Sequence, residues 1–197
     1  MSRQLAIATR MTLVTLVLTG LLYPLLVTGA ASLLFPRAAA GSLIAVDGRA
    51  VGSALIGQRF AGRGRFQGRP SAAGADGYDA ASSGGSNLGP ISAKLRDRAA
   101  GELARLVAEN PRADGPPPAE LLAASASGLD PHVSPAAALW QAPRVADARG
   151  VALREVQALV AARIEPRTLG FLGEPRVNVL LLNLDLDRRF GRPAGAP

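Results

Sequence analysis

The chain has 197 residues and no cysteine, which excludes a disulfide framework, a thiolate metal site and a thiol nucleophile. Its net charge of +7 invites a nucleic-acid reading, but only Lys94 among the 22 basic residues is lysine, and aromatics are 4%. The arginines alternate with acids (Arg96-Asp97-Arg98, Asp185 to Arg189), so there is neither a basic block nor a row of stacking rings, and nucleic acid is set aside as a partner.

From Met11 to Pro36 no residue is charged, and Arg10 and Arg37 mark the ends. At 1.5 Å per residue this run exceeds the roughly 30 Å of a bilayer core. A secretory signal would also show a basic start, an apolar run and small residues such as Thr28-Gly29-Ala30. The uncharged run continues through Ser32-Leu33-Leu34-Phe35, longer than a signal needs, so an anchor in membrane lipid is expected. The chain is thus divided into a short cytoplasmic tail (1–10), a transmembrane helix (11–34) and an extracytoplasmic domain (35–197), with the short N-terminal tail inside. Thr12, Thr15, Thr19 and Tyr23 follow helical spacing and place hydroxyls in one stripe, expected to meet partner helices. Pro24 removes a helical hydrogen bond and should kink the span.

After the span, Asp47-Gly48 between Leu43–Val46 and Val51 signals a hairpin. Residues 62–90 read as one long loop, a length uncommon unless the loop does something. Pro90 to Asn110 predicts a helix with Ile91, Leu95, Leu103, Leu106 and Val107 roughly on one face. Ser134-Pro135 reads as a helix start, and Arg149 to Ile164 as an amphipathic helix with Leu153, Val156, Leu159 and Val160 inward. Val177 to Asp187, ending in the alternation Asn183-Leu184-Asp185-Leu186-Asp187, predicts a strand. The fold class expected is therefore α/β (mixed α+β), one domain on one N-terminal transmembrane helix.

Four constellations are candidates for chemistry. Ser83-Gly84-Gly85-Ser86-Asn87-Leu88-Gly89 runs toward a helix start, where free N–H groups can hold an anion, although no Gly-Lys-Ser/Thr follows. Ser83, Gly84, Gly85, Ser86, Asn87 and Gly89 are the candidate ATP or anion loop, against a structural reading as a tight glycine turn. His132 lies between Asp130 and Ser134, and the expectation is local capping and turning. Ser92 and Lys94 are two apart and would not meet on a helix. Asn183, Asp185 and Asp187 would share one strand face, as a solvated face or a hard-cation site. None of these supports catalysis, so neither a catalytic nor a metal residue is assigned.

Several segments together carry a family resemblance. They are Tyr23-Pro24-Leu25, Gly41-Ser42-Leu43-Ile44, Leu55-Ile56-Gly57-Gln58-Arg59-Phe60, Arg69-Pro70-Ser71-Ala72, Tyr78-Asp79-Ala80, Ser83 to Pro90, Ser127 to Pro135, and Leu169 to Val179. In this order behind one apolar run, the chain resembles the KdpC family, the small C subunits of the Kdp potassium-transporting P-type ATPases of bacteria and archaea. Gln67-Gly68 stands where the family pattern has an aromatic before Arg-Pro-Ser. The resemblance implies a non-catalytic accessory subunit in the bacterial inner membrane, single-pass, with most of the chain periplasmic. Its implied partners are an ATP-hydrolysing P-type subunit and a potassium-channel-like subunit. It implies a role in assembly and activity, described as that of a catalytic chaperone raising the affinity for ATP. No cofactor is firmly bound, and ATP enters at most in a transient complex. The alternative class is a membrane-tethered periplasmic serine hydrolase using His132.

Overall fold

The computed structural model describes residues 1–192, as a mixture of helices and short strands behind one apolar helix. The chain divides into two compact units, Met1–Ser53 and from Ala54 onward.

The first unit begins with helix through Ser2–Leu34, with mean hydropathy 2.0 in its most apolar window and no residue buried. A core helix of a water-soluble protein would be largely covered, so this is a candidate membrane span. It comprises α1 (Ser2–Val17), a π turn at Leu18–Leu22 and α2 (Tyr23–Leu34). The π turn has a cause in sequence. Pro24 has no N–H to give residue 20, and its ring crowds that carbonyl. The turn before it widens, and the Tyr23 N–H reaches back to the Leu18 carbonyl instead. A short helix, α3 (Pro36–Ala39), leads to the expected hairpin: β1 (Leu43–Val46) pairs antiparallel with β2 (Arg49–Ser53). Asp47 and Gly48 both have positive φ (51° and 76°), as the two-residue loop requires.

No helix or strand lies between β2 and α4 (Ala93–Glu109). The latter starts later than the sequence suggests, after Ser92. It buries only Leu106, leaving Leu103 and Val107 exposed and Ile91 outside the helix altogether. After a 3₁₀ turn at Ala119–Leu121 come β3 (His132–Val133), α5 (Pro135–Arg149), α6 (Leu153–Ala162), β4 (Ile164–Glu165), β5 (Arg176–Asn178) and α7 (Val179–Phe190). The three strands form an antiparallel sheet in the order β3-β5-β4. Val133 and Val177 point from it into a core built with Ala137, Ala138 and Val145 of α5, Val156 and Val160 of α6, and Leu182 and Leu186 of α7.

The start of α5 is as expected: the Ser134 hydroxyl accepts from the Ala137 N–H at 3.1 Å, and Pro135 occupies the first turn. This helix then runs on through Arg149, so the predicted helix from 149 begins only at Leu153. Gly150, at φ 65°, ends α5; its N–H bonds the Asp147 carbonyl while Val151 bonds that of Ala146. The inward set on α6 holds for Val156, Leu159 and Val160.

The predicted strand from Val177 to Asp187 is corrected. Only Arg176–Asn178 is strand, and α7 follows at once. Asn178 ends the strand by accepting from the Leu181 N–H at 3.1 Å, which caps the helix. Val179, Leu182, Asn183 and Leu186 are buried, a spacing of three, four and seven that marks one helix face. The apolar residues of this segment also recur at helical spacing, as Val179, Leu182 and Leu186 do, and leucine favours helix over strand.

Candidate functional site

The long loop after β2 is held by side chains that act as a neighbouring strand would. Asn183 accepts from the Phe66 N–H at 2.8 Å and donates to the Phe66 carbonyl at 2.9 Å. One residue on, Gln141 accepts from the Gln67 N–H at 2.9 Å and donates to its carbonyl at 3.0 Å. Arg144, with 2% of its surface exposed, donates to the carbonyls of Arg63 (2.7 Å) and Arg65 (3.0 Å), and to Asn110 and Gln141 side-chain oxygens. A buried backbone group without a partner is costly, so these amides and this guanidinium take the place of a sheet ladder. Burial pulls the Arg144 pKa down to about 10, against the upward pull of the Glu109 charge.

Further along, the Ser71 hydroxyl accepts from the N–H groups of Ala73 and Tyr78 and donates to the Gly128 carbonyl at 2.6 Å. Tyr78 sits at φ 60°, a strained value for a bulky side chain, and its hydroxyl donates to the Arg69 carbonyl at 2.5 Å. Burial pushes the Tyr78 phenol up, only partly offset by Arg59.

Between this loop and α4 lies a cleft of about 380 Å³. One side carries Arg59, Arg69 and Tyr78; the other carries Glu102, Arg105 and Glu109. Arg105 bridges both carboxylates, to Glu109 at 2.7 Å, and also donates to Gln67 at 3.0 Å. The bond to Glu102 raises the Arg105 pKa above its ordinary value, against burial. Burial alone would raise Glu109, but bonds from Arg105 and Gln67 outweigh it and hold the carboxyl below its usual range. Gln67 thus bridges an ion pair. Across the cleft the guanidiniums are less satisfied. Arg69 meets Asp130 at 3.3 Å, yet its Nε is buried with no partner. Arg59 donates to the Asp76 carbonyl and has no carboxylate partner among the described residues.

The Ser83–Gly89 segment has no regular structure, and a turn at Pro90-Ile91 separates it from α4. Its first donors are committed internally: the Ser83 hydroxyl and the Gly84 N–H both go to the Ser127 carbonyl, at 3.0 and 2.9 Å. Gly85 and Gly128 allow the contact. A Cβ at Gly85 would fall 2.9 Å from the Ala126 carbonyl oxygen, and one at Gly128 2.6 Å from that of Gly84. Two resemblance segments, 83–90 and 127–135, are therefore one packed feature. Ser86 is partly buried, Asn87 is exposed with φ 50°, and Gly89 accepts from the Ser92 N–H.

His132 follows the local reading. Its N–H donates to Asp130 at 2.9 Å, and its ring nitrogens face Asp130 (3.6 Å) and Glu165 (3.8 Å), while the Ser134 hydroxyl caps α5. Asp130 is held below its ordinary pKa, burial being outweighed by His132 and Arg69. The shared strand face of Asn183, Asp185 and Asp187 is corrected with the strand itself. Asn183 holds Phe66, Asp187 pairs with Arg65 (3.0 Å) and Arg149 (2.7 Å), and Asp185 pairs with Arg163 and Arg188. On the apolar helix, Thr12, Thr15, Thr19 and Tyr23 are exposed, and the Thr19 hydroxyl donates to the Thr15 carbonyl at 2.8 Å.

The family model described as KdpC, K+-transporting ATPase, c chain, matches residues 5–188. The chain belongs to the KdpC family. Among curated KdpC-family proteins, it is 67% identical over 192 residues to the "Potassium-transporting ATPase KdpC subunit" of Myxococcus xanthus, covering 96% of this chain and 90% of that one. Proteins of the same description from Polaromonas naphthalenivorans and Methylobacterium nodulans are 56% and 54% identical, over 91% and 89% of this chain and 91% and 92% of theirs. The KdpC match includes the apolar helix, the latched loop and the cleft. The cleft was missed in the sequence because its residues are dispersed. The available signal was that Arg59, Arg69 and Tyr78 all lie in resemblance segments without regular structure, and loops held on a rigid scaffold often carry function.

Proposed function

We propose that this chain is a non-catalytic accessory subunit of a potassium-transporting ATPase, needed for assembly and activity of the complex. Residues 11–34 stay in the bacterial inner membrane as a single-pass anchor, with residues 1–10 in the cytoplasm and residues 35–197 in the periplasm. Its partners are the ATP-hydrolysing subunit and the channel-like subunit. Thr12, Thr15, Thr19 and Tyr23 face a neighbouring helix, where small and hydroxylated residues permit close approach. Any gain in ATP affinity of the pump subunit is transmitted from a distance, as a coupling free energy between separate sites. A periplasmic domain meets no ATP, and Ser83 and Gly84 spend their donors on Ser127.

The observation that carries this reading is the KdpC-family match over residues 5–188 together with an apolar helix that the fold leaves wholly unburied. The test is purification from detergent-solubilised membranes, beside protease treatment of intact spheroplasts. Two polytopic subunits should co-purify, the chain alone should hydrolyse no ATP, and the protease should cut the domain from outside. A mature chain beginning near Ala31, released by osmotic shock, would overturn the reading. A hydrolase activity of the intact chain, lost in His132→Ala, would replace it.

A further inference from the structure

Three features mark the cleft. Arg59 carries a charge that no described carboxylate answers, although other arginines of the described residues are paired even at the surface, as Arg112 is with Asp147 and Arg167 with Glu174. Arg69 keeps a buried Nε without an acceptor, a rare and costly arrangement in a folded protein. Tyr78 is held at a strained backbone angle so that its hydroxyl fixes the carbonyl of that same Arg69. An exposed guanidinium without a carboxylate, on a strained and fixed loop beside one open cavity, points outward, to a group that arrives from elsewhere.

The chemistry of that group follows from the walls. A guanidinium is a rigid fork of donors matched to a planar oxyanion, and bidentate pairing is what it does better than an ammonium. The opposite wall sets the charge. Glu102 and Glu109 stand there with only Arg105 between them, so a di- or trianion entering the cleft would meet repulsion. One negative charge fits and several do not. The volume, near the lower end for small-ligand sites, suits a side chain and not a nucleotide. We propose that the Arg59–Arg69 wall is a socket for a single carboxylate, the Asp or Glu side chain of another subunit, which locks the domain in register on the assembled complex. This rests on the accessory-subunit reading above; the socket itself is tested apart from it.

The buried latch explains why the socket is rigid. Arg144 and Gln141 hold residues 63–67 from below, and Ser71 and Tyr78 hold residues 69–78 from the side, so the arginines stand on a fixed loop. A preset receptor loses little conformational freedom when filled.

The experiment uses the full-length chain in detergent and the whole complex. Sodium acetate, at constant ionic strength against chloride, should raise the unfolding temperature of the wild-type chain and leave Arg59→Gln unmoved, while inorganic phosphate gives no comparable rise. In the complex, Arg59→Gln should weaken retention of the chain during salt washing by about thirtyfold or more, as removal of one partner of a desolvated charge pair does. Arg112→Gln, which breaks an exposed pair with Asp147 away from the cleft, should be retained like the wild type. Because Arg69 also supports Asp130, Arg59 is the variant of choice, and its unchanged unfolding temperature in chloride checks folding. Absence of an acetate effect, or an equal response to phosphate, would overturn the carboxylate socket. So would wild-type retention of Arg59→Gln. If the wild-type chain itself fails to co-purify, the accessory-subunit reading falls, whereas the acetate titration still decides the socket.

Discussion

Two segments of the unit that begins at Ala54 lack regular structure and are held in opposite ways. Residues 62–78 are fixed from outside, by side chains of α5 and α7 that supply donors and acceptors to a backbone with no strand beside it. Residues 167–174 are fixed from within. The Thr168 and Leu172 backbones bond each other at 2.9 Å, Leu169 and Gly170 turn the chain with φ of 55° and 83°, and Arg167 pairs with Glu174 at 2.6 Å. The first segment buries Phe66 completely; the second leaves Leu169 80% and Phe171 68% exposed. Absence of secondary structure therefore says nothing about rigidity. What decides is whether the backbone's partners lie far away in sequence, and so whether remote substitutions reach it.

The comparison breaks first at Arg144. Arg144→Leu leaves the Arg63 and Arg65 carbonyls and the Asn110 amide oxygen without their donor inside the core. At about 1–3 kcal/mol for each stranded group, the loss should be the largest of any single change, several kcal/mol, read as a fall in unfolding temperature of at least about 10 °C. Asn183→Leu strands both polar groups of Phe66 and should cost about 2–4 kcal/mol by urea unfolding. Asn183→Asp sharpens the point. A carboxylate can still accept from the Phe66 N–H but repels the Phe66 carbonyl, so it should fare no better than leucine if the latch is truly reciprocal. A cost near zero for both would mean that the loop supports itself.

These long-range partners are also what the sequence conceals. The apolar helix, the Asp47-Gly48 hairpin and the Ser134 cap are decided within a few residues, and all three were legible. The strand predicted over 177–187 failed because the same stretch also carries apolar residues at helical spacing (Val179, Leu182, Leu186), and only the packing of Leu182 and Leu186 against α5 and α6 separates the two periods. Asn183 looked like part of a polar strand edge; its role depends on Phe66, more than a hundred residues earlier. The cleft was hidden for the same reason. Arg59, Arg69 and Arg105 belong to three separate stretches, and no spacing rule joins them. Gly84 belongs to the loop read as a candidate anion site or tight glycine turn, yet its meeting with Gly128 is what brings two motifs into contact.

A smaller effect separates the loop's margin from its centre. Asp130 faces Arg69 and His132, and those contacts hold its pKa below the ordinary carboxylate value although burial opposes them. The native state thus binds the proton more weakly than the unfolded chain. Its contribution is present above the unfolded pKa and disappears as pH falls through the native one. Asp130→Asn should flatten the acid side of the plot of unfolding temperature against pH, with less effect near neutrality than Arg144→Leu. An unchanged acid limb would show that the Arg69–Asp130 contact adds nothing to stability.

The self-held tip should respond least of all. Leu169 in the left-handed region costs the native state roughly 1–2 kcal/mol, a strain that Leu169→Gly removes. Glycine, however, has more freedom to lose on folding, which costs roughly 0.5–1 kcal/mol. The side chain is 80% exposed, so little packing is forfeited. The terms nearly cancel, and the unfolding temperature should move by no more than about 3 °C, upward if at all. A fall as large as that of Asn183→Leu would mean that the tip is braced by contacts beyond its own turn, and the contrast between the two segments would disappear.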